Sequence, residues 1–168
     1  MNNDINALTS RAKRAFDLVV AVSAMAVTLP LYPLIAIAIK LDSPGPVFFR
    51  QMRIGRARHD RTDLFEMIKF RTMRQDAEAR SGAVWAKKSD SRITRVGNFL
   101  RKTRLDELPQ LINVIRGEMS IIGPRPERPG FYRMLEREIP YFAERTVGVA
   151  PGITGLAQVN QGYDTCLD

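Results

Sequence analysis

The feature that most constrains this chain is an apolar run over residues 18–39 that carries no charged side chain and is interrupted by Pro30 and Pro33. As a helix rising ~1.5 Å per residue it would reach ~30 Å, enough to cross a bilayer core. It is too long and too far inside the chain for a signal peptide, and Ala36-Ile37-Ala38 lies within the run, not after it. Two features oppose a simple span. Each proline removes a backbone donor and disturbs the preceding turn, which predicts a kink. Both flanks are also basic: Arg11, Lys13 and Arg14 precede the run, and Lys40, Arg50, Arg53, Arg56 and Arg58 follow it. Positive charge prefers the cytoplasmic side, so a helix that enters, bends at Pro30 and returns satisfies both clusters. A buried core helix is the alternative. Asn, Gln and acidic groups are absent from the run, so nothing in it suggests an ion pathway.

The 168 residues suit one soluble domain plus an attachment element. A formal charge of +8 and a pI near 10.1 favour anionic partners: nucleic acid, an acidic membrane surface or phosphate-bearing substrates. Cys166 is the one cysteine and His59 the one histidine, which excludes a disulfide framework within the chain and argues against a structural zinc site.

After Lys40 the composition changes. Ser43-Pro44-Gly45-Pro46 is a turn-rich exit. Apolar-aromatic runs over 47–51 and 64–70, with a polar stretch between, predict a β-hairpin with a long loop. Residues 73–80 suggest a helix and 81–90 a loop that carries Trp85. Val96, Phe99 and Leu100 have helical spacing within 93–102. Leu108, Leu111, Ile112 and Ile115 give a second such face, stopped by Gly117. Gly123-Pro124-Arg125-Pro126 is a rigid turn carrying a cation, 130–142 an amphipathic helix interrupted near Pro140, and 151–155 a loop. The fold class expected is α+β, mainly helical: a membrane-inserted helix over 1–40 and a small cytosolic domain over 41–168 containing the hairpin.

The chemistry points to Asp106-Glu107. Asp106 fits a helix N-cap with Pro109 in the first turn, and a helix start favours a carboxylate anion. An ionised carboxylate can attack phosphorus, and its neighbour can hold a divalent cation on a diphosphate. Arg101, Lys102 and Arg104 could offset phosphoryl charge. Plain capping by Asp106 is the other reading. Prolines on both sides fix where the Arg125 guanidinium points, for phosphate binding or for a pair with Glu127. Lys69 and Arg71 alternate about Phe70 at strand spacing and would share a face, binding phosphate or meeting solvent. Asp90-Ser91-Arg92 could be a turn alone.

Taken in order, these pieces resemble the bacterial sugar transferase family of monotopic polyprenyl-phosphate phosphoglycosyl transferases. The matching segments are Lys13-Arg14-Ala15-Phe16-Asp17, the proline-broken run, 43–51, Lys69-Phe70-Arg71-Thr72-Met73, 90–97, 101–111, Gly123-Pro124-Arg125-Pro126 and 151–160. The resemblance implies that Asp106 is a nucleophile forming a covalent phosphosugar intermediate with release of UMP. It implies that Glu107, with Asp106, serves a Mg²⁺ site, and that Arg101 binds phosphate, with Lys69, Arg71, Arg92 and Arg125 as further candidates. The implied partners are a UDP-sugar, polyprenyl phosphate and inner-membrane lipid, at the cytoplasmic face of a bacterial inner membrane. Nucleic acid is not among the expected partners, since aromatics are not interleaved with the basic residues. The oligomeric state is left open, a homodimer included. The sequence departs from the family pattern at Leu29, where Ser often precedes the breaking proline, so Pro33 is expected to share the bend. It departs again at Ala150 and at Gln161-Gly162-Tyr163, and the family's C-terminal helical part is expected to be missing. A membrane-anchored basic binding module without catalysis is the competing function.

Overall fold

The computed structural model describes residues 2–77 and 90–160. Trp85 with its predicted loop, the end of the helix predicted over 73–80, Gln161-Gly162-Tyr163 and Cys166 lie outside them.

The apolar run forms two helices. α1 spans Asn2–Thr28 and α2 spans Leu31–Asp42, with a bend of 63° between them. The break follows from local chemistry. Pro30 has no N–H with which to continue α1, the last α1-type bond is donated by the Leu29 N–H to the Met25 carbonyl, and Tyr32 N–H then turns back to the Leu29 carbonyl. Thr28 adds a hydroxyl bond to the Ala24 carbonyl at 2.7 Å, a contact that favours bending. Pro33 does not share the bend. It stands in the first turn of α2, where a missing donor leaves no intrahelical bond unmade. No single helix among the described residues is long and apolar enough to cross a membrane, but the bent pair together has that length and composition.

One side of the pair packs inward, with Ala21 0% and Ile39 2% exposed; Val19 and Leu34, on the other, are 66% and 64% exposed. Three polar residues of α1 fasten it to the rest of the molecule. The buried Asp17 carboxylate accepts the Ile121 N–H at 3.1 Å, the Ser120 hydroxyl at 2.9 Å and Lys13 Nζ at 2.5 Å. Arg14 donates to the carbonyls of Val114 and Ile115 at 2.6 and 2.8 Å.

β1 (Phe48–Ala57) and β2 (Thr62–Phe70) form the antiparallel hairpin, with a register shift between Ile54 and Ala57. The strands are longer and the loop shorter than the sequence suggests, because charged pairs such as Arg58–Asp63 at 2.7 Å line the strand ends and hide the apolar pattern there. Along β2, Phe65 and Met67 pack against Ala21 of α1 and against Leu111 and Val114, while Phe70 turns to Ile35 and Ile39 of α2 and to Leu100. The hairpin therefore divides two apolar clusters, and each helix of the bent pair contributes to one.

α3 (Arg95–Thr103) is capped by Thr94, whose hydroxyl accepts the Gly97 N–H at 3.0 Å. A 3₁₀ turn over Leu105–Glu107 leads to α4 (Gln110–Arg116), which Gly117 ends at φ +84°. Met73 bridges to Ile93, and residues 75–77 form a turn. A feature unforeseen from the sequence is the parallel pair β3 (Ser120–Ile122) and β4 (Gly152–Thr154). Its second strand replaces the loop expected over 151–155. A Cβ at Gly123 or Gly152 would collide with the facing backbone, so the close approach of these chains requires glycine. α5 (Pro129–Glu138), a 3₁₀ turn over Phe142–Thr146 and the short α6 (Leu156–Asn160) complete a mixed helix and strand fold.

Candidate functional site

Asp106 does not cap a helix. Arg104 adopts a left-handed conformation at φ +60°, unusual for a non-glycine residue, and reverses the chain after α3. The 3₁₀ turn that follows carries Asp106 inward, to 3% exposure. Its Oδ1 is buried and has no hydrogen-bond partner among the described residues. Burial pushes the Asp106 carboxyl up to about 6; Lys69 and Arg101 pull it down, and the neighbouring Glu107 charge pushes it further up. A buried, partnerless carboxylate oxygen does nothing for the fold, since capping or pairing would satisfy it. Such atoms concentrate where chemistry is done.

Glu107 faces β2. Lys69 lies on the same side of β2 as Phe65 and Met67, toward α4, and its Nζ meets Glu107 Oε1 at 2.8 Å. Arg104 stands 3.9 Å from the same oxygen. Asn113 fixes α4 to β2 by accepting the Ile68 N–H at 3.1 Å and donating to the Glu66 carbonyl at 2.8 Å, so the lysine and the carboxylates are held across a rigid joint.

A pocket opens against this pair. Its walls include Arg53, Lys69, Glu107, Gln110, Arg125 and Gln158. Arg125 is exposed and does not pair with Glu127, whose carboxylate lies 3.5 Å from Arg145. The segment carrying Arg125 is pinned along its backbone: Arg145 donates to the Arg125 carbonyl at 3.0 Å, Arg53 to the Pro126 carbonyl at 3.2 Å, and the Ile54 N–H to the Glu127 carbonyl at 2.9 Å.

Two of the predicted site residues stand elsewhere. Arg71 does not share the Lys69 face, because β2 ends at Phe70. Its buried guanidinium donates to the carbonyls of Pro44 and Ser43 at 2.6 and 2.7 Å and so holds the exit from α2. Arg92 forks onto Asp90, with Nε–Oδ1 at 2.8 Å and Nη2–Oδ2 at 2.6 Å, which makes a closed structural pair. Sequence reasoning, for its part, missed Arg53, Gln110 and Gln158 as pocket residues. Gln110 carried a usable signal, a polar residue on an otherwise apolar helical face with Leu111 and Val114.

A divalent cation would have Asp106 and Glu107 as its side-chain ligands. No group of three or more His, Cys, Asp or Glu occurs among the described residues. Two adjacent carboxylates, one with an unsatisfied oxygen, fit the manner in which Mg²⁺ binds, through one or two carboxylates with the rest of its shell from water and substrate phosphate.

Residues 8–167 match the sequence model of the family described as bacterial sugar transferase. The chain is 48% identical over 156 residues to a UDP-N-acetylgalactosamine-undecaprenyl-phosphate N-acetylgalactosaminephosphotransferase of Aeromonas hydrophila, covering 93% of this chain and 36% of that protein. It is 48% identical over 133 residues to a putative undecaprenyl-phosphate N-acetylgalactosaminyl 1-phosphate transferase of Bacillus subtilis, covering 79% of this chain and 72% of that one. It is 46% identical over 149 residues to a UDP-glucose:undecaprenyl-phosphate glucose-1-phosphate transferase of Xanthomonas campestris, covering 89% and 30%. The chain thus spans about a third of the length of the Aeromonas and Xanthomonas relatives. With a match that runs from α1 through α6 and takes in the whole pocket, the chain belongs to the bacterial sugar transferase family.

Proposed function

We propose that this chain transfers a sugar-1-phosphate from a UDP-sugar to undecaprenyl phosphate, through a covalent intermediate on Asp106. The relatives' names support the overall reaction, and the observation that carries the mechanism is the buried, partnerless Oδ1 of Asp106 beside a lysine–glutamate pair. In the first step an oxygen of the Asp106 carboxylate bonds to the phosphorus attached to the sugar. The bond from that phosphorus to the bridging oxygen breaks, and its electron pair leaves with UMP. In the second step an oxygen of the polyprenyl phosphate attacks the same phosphorus, the acyl-phosphate bond breaks and the carboxylate is restored. Neither step requires a general base, because each nucleophile is already an anion. Lys69 exchanges Glu107 for a phosphoryl oxygen when the diphosphate enters, which also opens the way to Asp106. Arg101, Arg53 and Arg125 add positive charge around the transferring group. A Mg²⁺ ion held by Glu107 and Asp106 would offset charge on the diphosphate. Arg71 and Arg92 act in the scaffold.

The bent pair serves as the attachment, with 1–40 inserted in the cytoplasmic leaflet of a bacterial inner membrane and 41–168 lying on its surface. Its outward apolar side and the basic groups at both ends support this placement. Synthesis of an exopolysaccharide or a similar glycoconjugate is the setting that fits such a product; one relative is named an exopolysaccharide production protein. The test is to trap radiolabelled phosphosugar on the protein after brief incubation with UDP-sugar and to follow UMP release. Wild-type protein should label and turn over, and Asp106→Asn should do neither. Labelling of the Asn variant at the wild-type level would place the nucleophile elsewhere.

A further inference from the structure

Phosphoryl transfer leaves two neutral side chains of the pocket unused. Gln110, the first residue of α4, is 3% exposed yet lines the pocket, and no hydrogen bond of its carboxamide is formed within the described residues. Gln158, on α6, lines the same pocket, and its Oε1 is buried with no partner. Gly155 keeps room for that oxygen, since a Cβ there would stand 2.8 Å from it. Folded chains satisfy nearly all buried polar atoms, so the partnerless Gln158 Oε1, with the Gln110 carboxamide lining the same pocket, marks a polar wall open to a ligand.

The pocket also sorts its chemistry. Arg53, Lys69 and Arg125 provide the charge that a diphosphate needs. The two carboxamides carry no charge and offer both donors and acceptors, so they match a neutral group presenting C=O and N–H together. We propose that Gln110 and Gln158 bind such an amide-bearing part of the donor substrate and set which donor is accepted. This inference rests on the nucleotide-sugar reading above. Two parts of a UDP-N-acetylhexosamine have that chemistry, the uracil ring and the acetamido group of the sugar. A site built to hydrogen-bond such a group discriminates strongly against an analogue lacking it, because its own buried polar atoms are then left unpaired.

The experiment uses the full chain with undecaprenyl phosphate, comparing wild type with Gln158→Leu, Gln110→Leu and the near-isosteric Gln110→Glu. KM and kcat are measured for UDP-N-acetylgalactosamine and UDP-galactose, and the dissociation constants of both and of UMP by calorimetry. The expected result is a rise of about tenfold in KM and in dissociation constant for UDP-N-acetylgalactosamine, with a smaller change in kcat. If the acetamido group is the ligand, binding of UDP-galactose and UMP stays near wild type. If uracil is the ligand, all three weaken together. Folded Gln158→Leu and Gln110→Glu proteins that bind all three compounds like wild type would overturn the inference. Wild-type protein that binds the nucleotide but releases no UMP would instead count against the proposed transfer, and the calorimetric arm would still decide the role of the two glutamines.

Discussion

Between Phe16 and Leu41 the outward side chains of α1 and α2 are mostly apolar, whereas the candidate site gathers charged and polar side chains, and the buried Asp106 Oδ1 and Gln158 Oε1 there lack partners among the described residues. Both arrangements cost free energy in water, the first by exposing hydrocarbon and the second by burying groups that water would solvate. In the proposed function each cost is offset by a partner: a lipid leaflet in one case, a nucleotide-linked phosphosugar in the other. The two regions are not independent. Asp17 ties α1 to the start of β3, which runs into the Arg125 turn, and Arg14 ties it to the end of α4, whose first residue is Gln110. The helix with the apolar outer side is thereby fastened to both walls of the site.

The sharpest way to break the comparison is at Asp106, where function and stability should move in opposite directions. Asp106→Asn should lower turnover by roughly a hundredfold or more, through loss of the anionic nucleophile. It should also stabilise the metal-free protein. The folded carboxyl titrates at about 6, above its ordinary value of 3.8, so the wild-type carboxyl is uncharged and harmless below about pH 4. Its penalty grows as pH rises through the interval to about 6 and is complete above it, at an order of 3 kcal/mol. The Asn variant has no such dependence. Denaturant melts in EDTA at pH 4 and pH 8 should show its advantage at the higher pH only; an equal difference at both would mean that the burial penalty is not the cause.

The opposite region is tested by making its outer side polar. Replacing Val19, Val22, Leu34 and Ile37 with Ser removes exposed apolar surface, at roughly 1 kcal/mol of membrane affinity for each partly inserted side chain. Sedimentation with vesicles should shift from bound to largely free while the melting temperature of the detergent-free protein holds or rises. Retention on vesicles would mean that the bent pair is not the attachment. The joint between the regions should respond next. Asp17→Ala strands the Ile121 N–H and removes the anionic partner of Lys13, a loss of about 3 kcal/mol measured by denaturant unfolding.

How far these regions were legible in the sequence differs for physical reasons. The bend at Pro30 could be read because proline acts locally, and for the same reason Pro33 misled: its effect depends on whether it falls inside a helix or in the first turn of a new one. The positions of α3, α4 and the hairpin followed from periodicity. The pairing of β3 with β4 did not, since it joins two three-residue segments about thirty positions apart and neither shows a strand pattern by itself. Asp106 stood out in the sequence by its neighbours and by the resemblance, but its burial comes from the left-handed turn at Arg104, which no residue type announced. Gln158 became part of the site only through tertiary packing.

Two arginines that look alike in sequence give the smallest and most specific contrast. Arg71 follows Lys69 by two positions and Arg125 lies between prolines, and both are candidate phosphate ligands by residue type. In the folded chain Arg71 is buried and its two terminal nitrogens donate to the carbonyls of Pro44 and Ser43, whereas Arg125 is exposed on the pocket wall. Arg71→Met leaves those two carbonyls unsatisfied where α2 leads into β1, so it should cost about 2 kcal/mol of stability. KM for the UDP-sugar should stay within about twofold, because Arg71 does not line the pocket. Arg125→Gln touches no hydrogen bond among the described residues and should change stability by no more than about 0.5 kcal/mol, while raising KM roughly tenfold through loss of a charged phosphate contact. Paired melts and steady-state kinetics on the two variants separate the roles. If Arg71→Met raised KM and spared stability, its guanidinium would have to leave the Ser43 and Pro44 carbonyls for the substrate, and the exit from α2 would then be a moving part of the site.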